Sequence, residues 1–199
     1  MPAAQPLRIV IVAPEPLDRD LADAQTESEL ERSRSLRIGL IESGYNIVAV
    51  LPADTFLTER LAQIGPDMVI VDAESQARDT LEHVVMATRD ARRPIVLFTN
   101  DGDTRHVRDA IAAGVTAYVV AGLAPERVRP VLDVAQARFD YEESMRRDLA
   151  DVLGSKSRAS EVLSGERRLS LDMIRRINAV WHIPAGVLIG EGSPQGDAA

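Results

Sequence analysis

Between Lys156 and Arg168 the chain gathers Lys156, Ser157, Arg158, Ser160, Glu161, Arg167 and Arg168, side-chain types suited to reading and clasping a polyanion. Short polar side chains and a basic residue on the first turn of a short helix can reach base edges in a major groove, because that end of a recognition helix approaches them. Arg167 and Arg168, in the loop SGERR, are placed to contact phosphate, a contact that fixes register rather than sequence. Arg175 and Arg176 lie further on, where a solvated helix face is the expected role.

These residues need elements to hold them, and Leu149–Ile189, LADVLGSKSRASEVLSGERRLSLDMIRRINAVWHIPAGVLI, supplies them. Leu149, Val152 and Leu153, with small Ala150, form one face of a helix. Gly154 permits a tight turn and Ser155 can cap the next helix by accepting an otherwise unpaired backbone N–H. In that helix Ala159, Val162 and Leu163 fall at i, i+3 and i+4, a spacing that directs one stripe to a core and leaves Ser157, Arg158, Ser160, Glu161 and Ser164 outside. Ser170 then caps a helix with an inner stripe of Ile174, Ile177 and Trp181, and Pro184 opens a last short helix through Val187 and Leu188. This is the order of a helix-turn-helix, and it points to duplex DNA.

Composition narrows the alternatives. The 199 residues include no cysteine, which removes disulfides, thiolate metal sites and a cysteine nucleophile together. Three scattered histidines, His83, His106 and His182, leave little for a zinc site, and nothing assembles a nucleophile, a base and an oxyanion site, so an enzyme is not expected. No apolar run approaches the roughly 20 residues needed to span a bilayer, and MPAAQPLRIVIVAPEP passes into a strand-like run without a basic leader, so a cytoplasmic protein is expected. The net charge of −8 argues against nucleic acid until its distribution is considered. Residues 1–145 carry a net −9, residues 146–189 a net +3 and the remainder −2, so the positive excess lies where phosphates would have to be neutralised.

Ahead of that basic stretch, short Val- and Ile-rich runs alternate with amphipathic segments. The runs Leu7–Val12, Asn46–Leu51, Met68–Val71, Ile95–Phe98 and Ala117–Val120 are apolar on both faces, as parallel strands covered by helices should be. Thr26–Ser43, Thr55–Ile64, Thr80–Arg89 and Thr104–Ala113 read as helices, with Gly44, Gly65 and Gly114 as stops. A (βα)5 alternation of this kind predicts an α/β doubly wound parallel sheet with its ligand site at the carboxyl ends of the strands. The charge-dense piece TESELERSRS, Thr26–Ser35, reads as a solvated helix face or loop. Pro125 can open a further helix, which Pro130 should kink or delay, and no Gly/Ser/Pro linker separates it from the basic stretch. Residues 1–140 are therefore expected to form the α/β domain, 141–190 a small all-α helix-turn-helix module and 191–199 a disordered tail.

With RIVIV, ESGYNIVAVL, PDMVIVDAES, RDTLEH, RPIVLFT and AGVTAYVVAGLAPERVRPVLDVAQARF, residues 7 to about 139 resemble a response-regulator receiver domain. More closely still they resemble the receivers of the nitrate- and amidase-regulation antiterminators, and the resemblance implies a CheY-like fold. It further implies that Asp72 stands at the phosphoacceptor position and that Thr99 stands at or next to the position of the hydroxyl that reads the phosphorylated state. Of the acid pair that would bind Mg2+, Ala13 and Pro14 occupy the places and Glu15 is the adjacent carboxylate, so that Glu15 and Asp72 would hold a weak Mg2+ if any. The lysine position is Ala121, and the chain's one lysine is Lys156. Phosphoryl transfer depends on hard oxygen ligands and on cations, so transfer from a histidine kinase to Asp72 should be severely slowed, and an atypical receiver that responds by protein contact, or not at all, is expected.

The stretch DLADVLGSKSRASEVLSGERRLSLDMIRRINAVWHIPAGVLI resembles the DNA-binding domain of HigA-type antitoxins and related lambda-repressor-like regulators. Those domains begin with a further helix, and ARFDYEESM stands in its place here. Together the two resemblances imply a transcriptional regulator that couples an atypical receiver input to sequence-specific DNA binding, and the few base contacts of so small a module lead us to expect a homodimer. The alternatives are an RNA-binding antiterminator, which the absence of that module's small-residue and LR pattern after residue 145 opposes, and an antitoxin-like protein-interaction regulator.

Overall fold

The computed structural model of the chain describes residues 6–13, 24–72, 77–89, 91–120 and 125–189. Two compact units divide it, Met1–Phe139 and Asp140–Ala199. In the first, five strands, β1 (Arg8–Val12), β2 (Asn46–Leu51), β3 (Met68–Asp72), β4 (Ile95–Thr99) and β5 (Ala117–Val120), alternate with α1 (Ala24–Glu42), α2 (Leu57–Ile64), α3 (Ala77–Ala87) and α4 (Thr104–Ala113). The sheet runs β2-β1-β3-β4-β5 with every neighbouring pair parallel.

The period of two in each strand sorts its side chains into two cores. Ile9, Ile11, Met68, Ile70, Val96 and Phe98 point to one face, which α1 covers with Leu36 and Leu40 and a later helix with Val128, Leu132 and Ala135. Val10, Val12, Val69, Val71, Ile95 and Leu97 point to the other, covered by Leu57 and Leu61 of α2, Leu81 and Val84 of α3 and Ala110 of α4. Both faces being buried explains why the strands read as continuous apolar runs rather than alternating ones. The α/β fold with its all-parallel sheet is thus as the sequence predicts, and every strand lies within a residue of its predicted bounds at either end. Asp103 caps α4 by accepting the Arg105 N–H at 2.8 Å, and Gly114, at φ +112°, ends the helix in a conformation that L side chains rarely adopt.

One helix, α5 (Pro125–Leu153), runs unbroken over 29 residues with Pro130 inside it. The predicted delay does not occur, since the helix starts at Pro125. Pro130 falls in its second turn, on an exposed position, where it lacks the N–H that would continue the ladder, while Val128, Leu132 and Ala135 stay in the core.

The second unit holds the end of α5, α6 (Lys156–Leu163), α7 (Leu171–Trp181) and the short α8 (Ala185–Leu188). Its core is small: Leu149, Ala150, Leu153, Ala159, Met173 and Ile177. Two residues predicted for the inner stripes lie elsewhere. Leu163, the last residue of an eight-residue helix, is 48% exposed, since only Ala159 and Val162 of α6 reach so small a core. Trp181 is 40% exposed at the end of α7, where His182 takes φ +56° and turns the chain away, and Met173 fills the core in its stead.

Candidate functional sites

In the first unit the carboxyl end of the sheet carries the candidate pocket. Asp72 is the last residue of β3 and is aligned with Phe98 of β4, so Thr99, the last residue of β4, stands one step further along the neighbouring strand. Both side chains are buried, Asp72 at 2% exposure and Thr99 fully. Thr99 Oγ1 accepts the Asp101 backbone N–H at 3.2 Å, and Tyr118 of β5 donates its hydroxyl to the Asp101 carbonyl at 2.9 Å. Burial pushes the Tyr118 phenol up, with Asp101 and Asp103 adding to it. The Asp101 carboxyl is held below its ordinary value first by the Asp103 backbone N–H and then by His106.

What neutralises Asp72 comes from α1. Arg32 Nη1 lies 2.6 Å from Asp72 Oδ1, with the arginine side chain 15% exposed. The contact is an ion pair whose angles fall short of a hydrogen bond, so the energy is chiefly Coulombic. Arg32 belongs to the segment predicted as a solvated face, and the structure corrects that expectation: Arg32, Leu36 and Leu40 fall at i, i+4 and i+8, one inward stripe whose first member is charged. That pattern was the available signal, an arginine at the head of a buried apolar row. Val12 of β1 aligns with Val71 of β3, which sets Ala13 level with Asp72. Ala13 is buried and offers a methyl where a carboxylate would be a metal ligand. Pro14, Glu15 and Ala121 lie outside the described residues. Among the described residues no group of three or more His, Cys, Asp or Glu side chains could hold a metal ion.

The second site is α6 and the loop after it. Ser155 adopts an extended conformation and its Oγ accepts the Arg158 N–H at 3.3 Å. Gly154, at φ +69°, makes the turn before it. With Ala159 buried, Lys156, Ser157, Arg158 and Ser160 are all exposed on the amino-terminal turns. Glu161 is engaged on both oxygens: Ser157 Oγ donates to Oε1 at 2.9 Å and Arg167 Nε donates to Oε2. The Arg167 guanidinium and then the Ser157 hydroxyl hold the Glu161 carboxyl below the usual glutamate range. Arg167, expected to meet phosphate, is thus paired with Glu161 in this structure, and its backbone N–H also donates to the Glu161 carbonyl at 2.9 Å. Arg168 is exposed beside it. On α7, Arg176 pairs with Asp172 at 2.9 Å over one helical turn, which fits a solvated face. Among the described residues no helix is long and apolar enough to cross a membrane.

Solved structures share the first unit's architecture. The receiver domain of the putative response regulator NarL from Mycobacterium tuberculosis superposes with a TM-score of 0.51 at 17% identity, over 66% of this chain and 98% of that one. The receiver domain of a modulated diguanylate cyclase from Desulfovibrio desulfuricans G20 gives 0.48 at 19% identity, over 69% and 98%. A LuxR-family DNA-binding response regulator from Staphylococcus aureus gives 0.46 at 12%, over 65% and 98%. No family model matches the chain and no curated protein matches it. The likeness to the first of these structures establishes the fold: the first unit is a receiver-type (βα)5 domain.

Proposed function

We propose that this protein is a response-regulator-like transcriptional regulator, whose receiver-fold half acts by protein contact and whose second unit is a HigA-type helix-turn-helix that reads duplex DNA as a homodimer. The observation that carries the reading is α6: a capped helix with Ala159 turned to the core and Lys156, Ser157, Arg158 and Ser160 exposed on its first turns. Those turns have the polarity and the charge to approach base edges, and the exposed Arg168 after them would supply a phosphate contact. A module this small makes few base contacts, and two copies on half-sites about one helical turn apart would double them. The finer resemblance of the first unit, to the nitrate- and amidase-regulation receivers, supports a regulator of transcription as well.

The test is a mobility shift of the full chain on duplex DNA from its own upstream region, with nonspecific competitor at near-physiological salt. Competitor-resistant binding that is lost in Lys156→Ala/Arg158→Ala is expected. Binding to the matching leader RNA alone would restore the antiterminator reading.

A second reading, a regulator that binds another protein through this unit, has its own observation. Leu171, Val180, Trp181 and Val187 are large apolar side chains exposed within one small helical module. It becomes the better account if neither nucleic acid is bound.

A further inference from the structure

The buried pair of Arg32 and Asp72 is not used by the DNA reading. Other carboxylate–arginine pairs of the first unit, Asp54 with Arg60 and Asp103 with Arg105, lie at the surface with side chains about a third or more exposed. Asp72 is different in kind: it is nearly fully buried, it ends the central strand at the sheet's ligand-binding edge, and its counterion arrives from the inward stripe of a helix. A carboxylate in such a place needs a cation. Receiver-type pockets take that cation from solution as Mg2+, through oxygen ligands beside the acceptor. Here Ala13 stands level with Asp72 without an oxygen, and Arg32 Nη1 is already at 2.6 Å.

We infer that Arg32 is the resident cation of this pocket, standing in for the divalent metal and closing Asp72 to Mg2+ and to Mg2+-dependent phosphoryl transfer. A divalent ion brought to Asp72 meets the like charge of the guanidinium at short range in a medium that screens poorly. It would also have to strip its own water for a site where, among the described residues, the carboxylate at hand is already paired with a guanidinium. Arginine stays protonated at every physiological pH, so the neutralisation does not vary with metal concentration as a bound ion would. The first unit is then held in one charge state by its own sequence, and its input must arrive through its surface.

The experiment uses the full chain and amide 15N–1H spectra recorded through a titration to millimolar Mg2+, followed by acetyl phosphate and intact mass. The wild type is expected to give no saturable Mg2+ shift at the amides of Val71, Asp72 and Thr99 and no phosphoryl mass. Arg32→Gln, which keeps the stem and removes the charge, is expected to gain a saturable shift at those amides, and Arg32→Lys, which keeps the charge, to remain blind to the ion. A saturable shift in the wild type overturns the inference, as does a wild-type phosphoryl mass that disappears in Asp72→Asn. A folded Arg32→Gln protein as blind to Mg2+ as the wild type overturns it too. If Arg32→Gln is too unstable for a dispersed spectrum, its melting temperature decides: recovery in Mg2+ supports one cation replacing another, and no recovery counts against it. None of these outcomes depends on DNA binding.

Discussion

Each unit carries an arginine–carboxylate pair beside its candidate site, and the two behave oppositely. Arg32–Asp72 joins α1 to β3, with Asp72 at 2% exposure. Arg167–Glu161 joins a loop to the helix six residues before it, with side chains 51% and 31% exposed. The chemistry of the partners is the same, and solvent makes the difference. Desolvation turns the first pair into a fixed part of the interior, because losing one partner strands a buried charge. Water and salt screen the second, so its arginine can leave for a stronger anion at little cost. A fixed pair would keep the proposed pocket closed, and an exchangeable one would leave the proposed DNA-facing surface free to meet phosphate.

The contrast can be broken most severely at Arg32. Arg32→Ala should destabilise the first unit by about 3–5 kcal/mol, read from chemical denaturation, and Arg32→Met combined with Asp72→Leu should recover most of the loss. If the single change costs no more than an ordinary surface substitution, the pair is not buried in solution. In the second unit, stability should rest on the small core rather than on its ion pair. Leu153→Ala is expected to cost about 3 kcal/mol, and Ser155→Ala, which removes the cap on α6, about 1 kcal/mol. Glu161→Gln should hardly move the denaturation midpoint. Arg167 itself belongs to binding: because its exposed pair can exchange, Arg167→Ala should flatten the dependence of DNA affinity on salt by about one unit of slope, and an unchanged slope would mean that Arg167 does not meet phosphate.

The smallest effect is in acid. Glu161 has a folded value below the ordinary 4.5, so whatever its pair adds to stability is complete above 4.5 and fades as pH falls through that lowered value. Its side-chain carbon resonance should titrate with a midpoint under 4.5 that moves up in Arg167→Ala. A midpoint that ignores this substitution would dissolve the pair.

Much of the first unit was legible in the residues because a parallel sheet buried on both faces writes itself as short Val/Ile runs, and Gly114 marks a helix end by local chemistry, as Ser155 does in the second unit. Asp72 and Thr99 were reached through the resemblance to receivers, each being the residue that follows one of those runs. Arg32 was not, because hydropathy counts an arginine as solvent-facing wherever it stands, and only its place above Leu36 and Leu40 gives it away. The misplacing of Leu163 and Trp181 has a related cause. Periodicity reveals which face of a helix turns inward, and it is silent on where the opposing surface ends; a core of six small and medium side chains ends before either residue. Arg167 illustrates a third limit: a loop arginine and a helix glutamate six residues apart meet only because Gly165, at φ +77°, turns the chain back.

Helix α5 gives Val128, Leu132 and Ala135 to the first core and Leu149, Ala150 and Leu153 to the second. As the chain leaves the ribosome, the sheet therefore waits for the opening turns of α5 before its last face can close. The same helix, once started there, then needs only propagation to present the first wall of the next core, and propagation is far cheaper than nucleation. The order of translation is thereby an order of assembly, and a release point between Val128 and Ala135 would leave the nascent receiver fold open on one side.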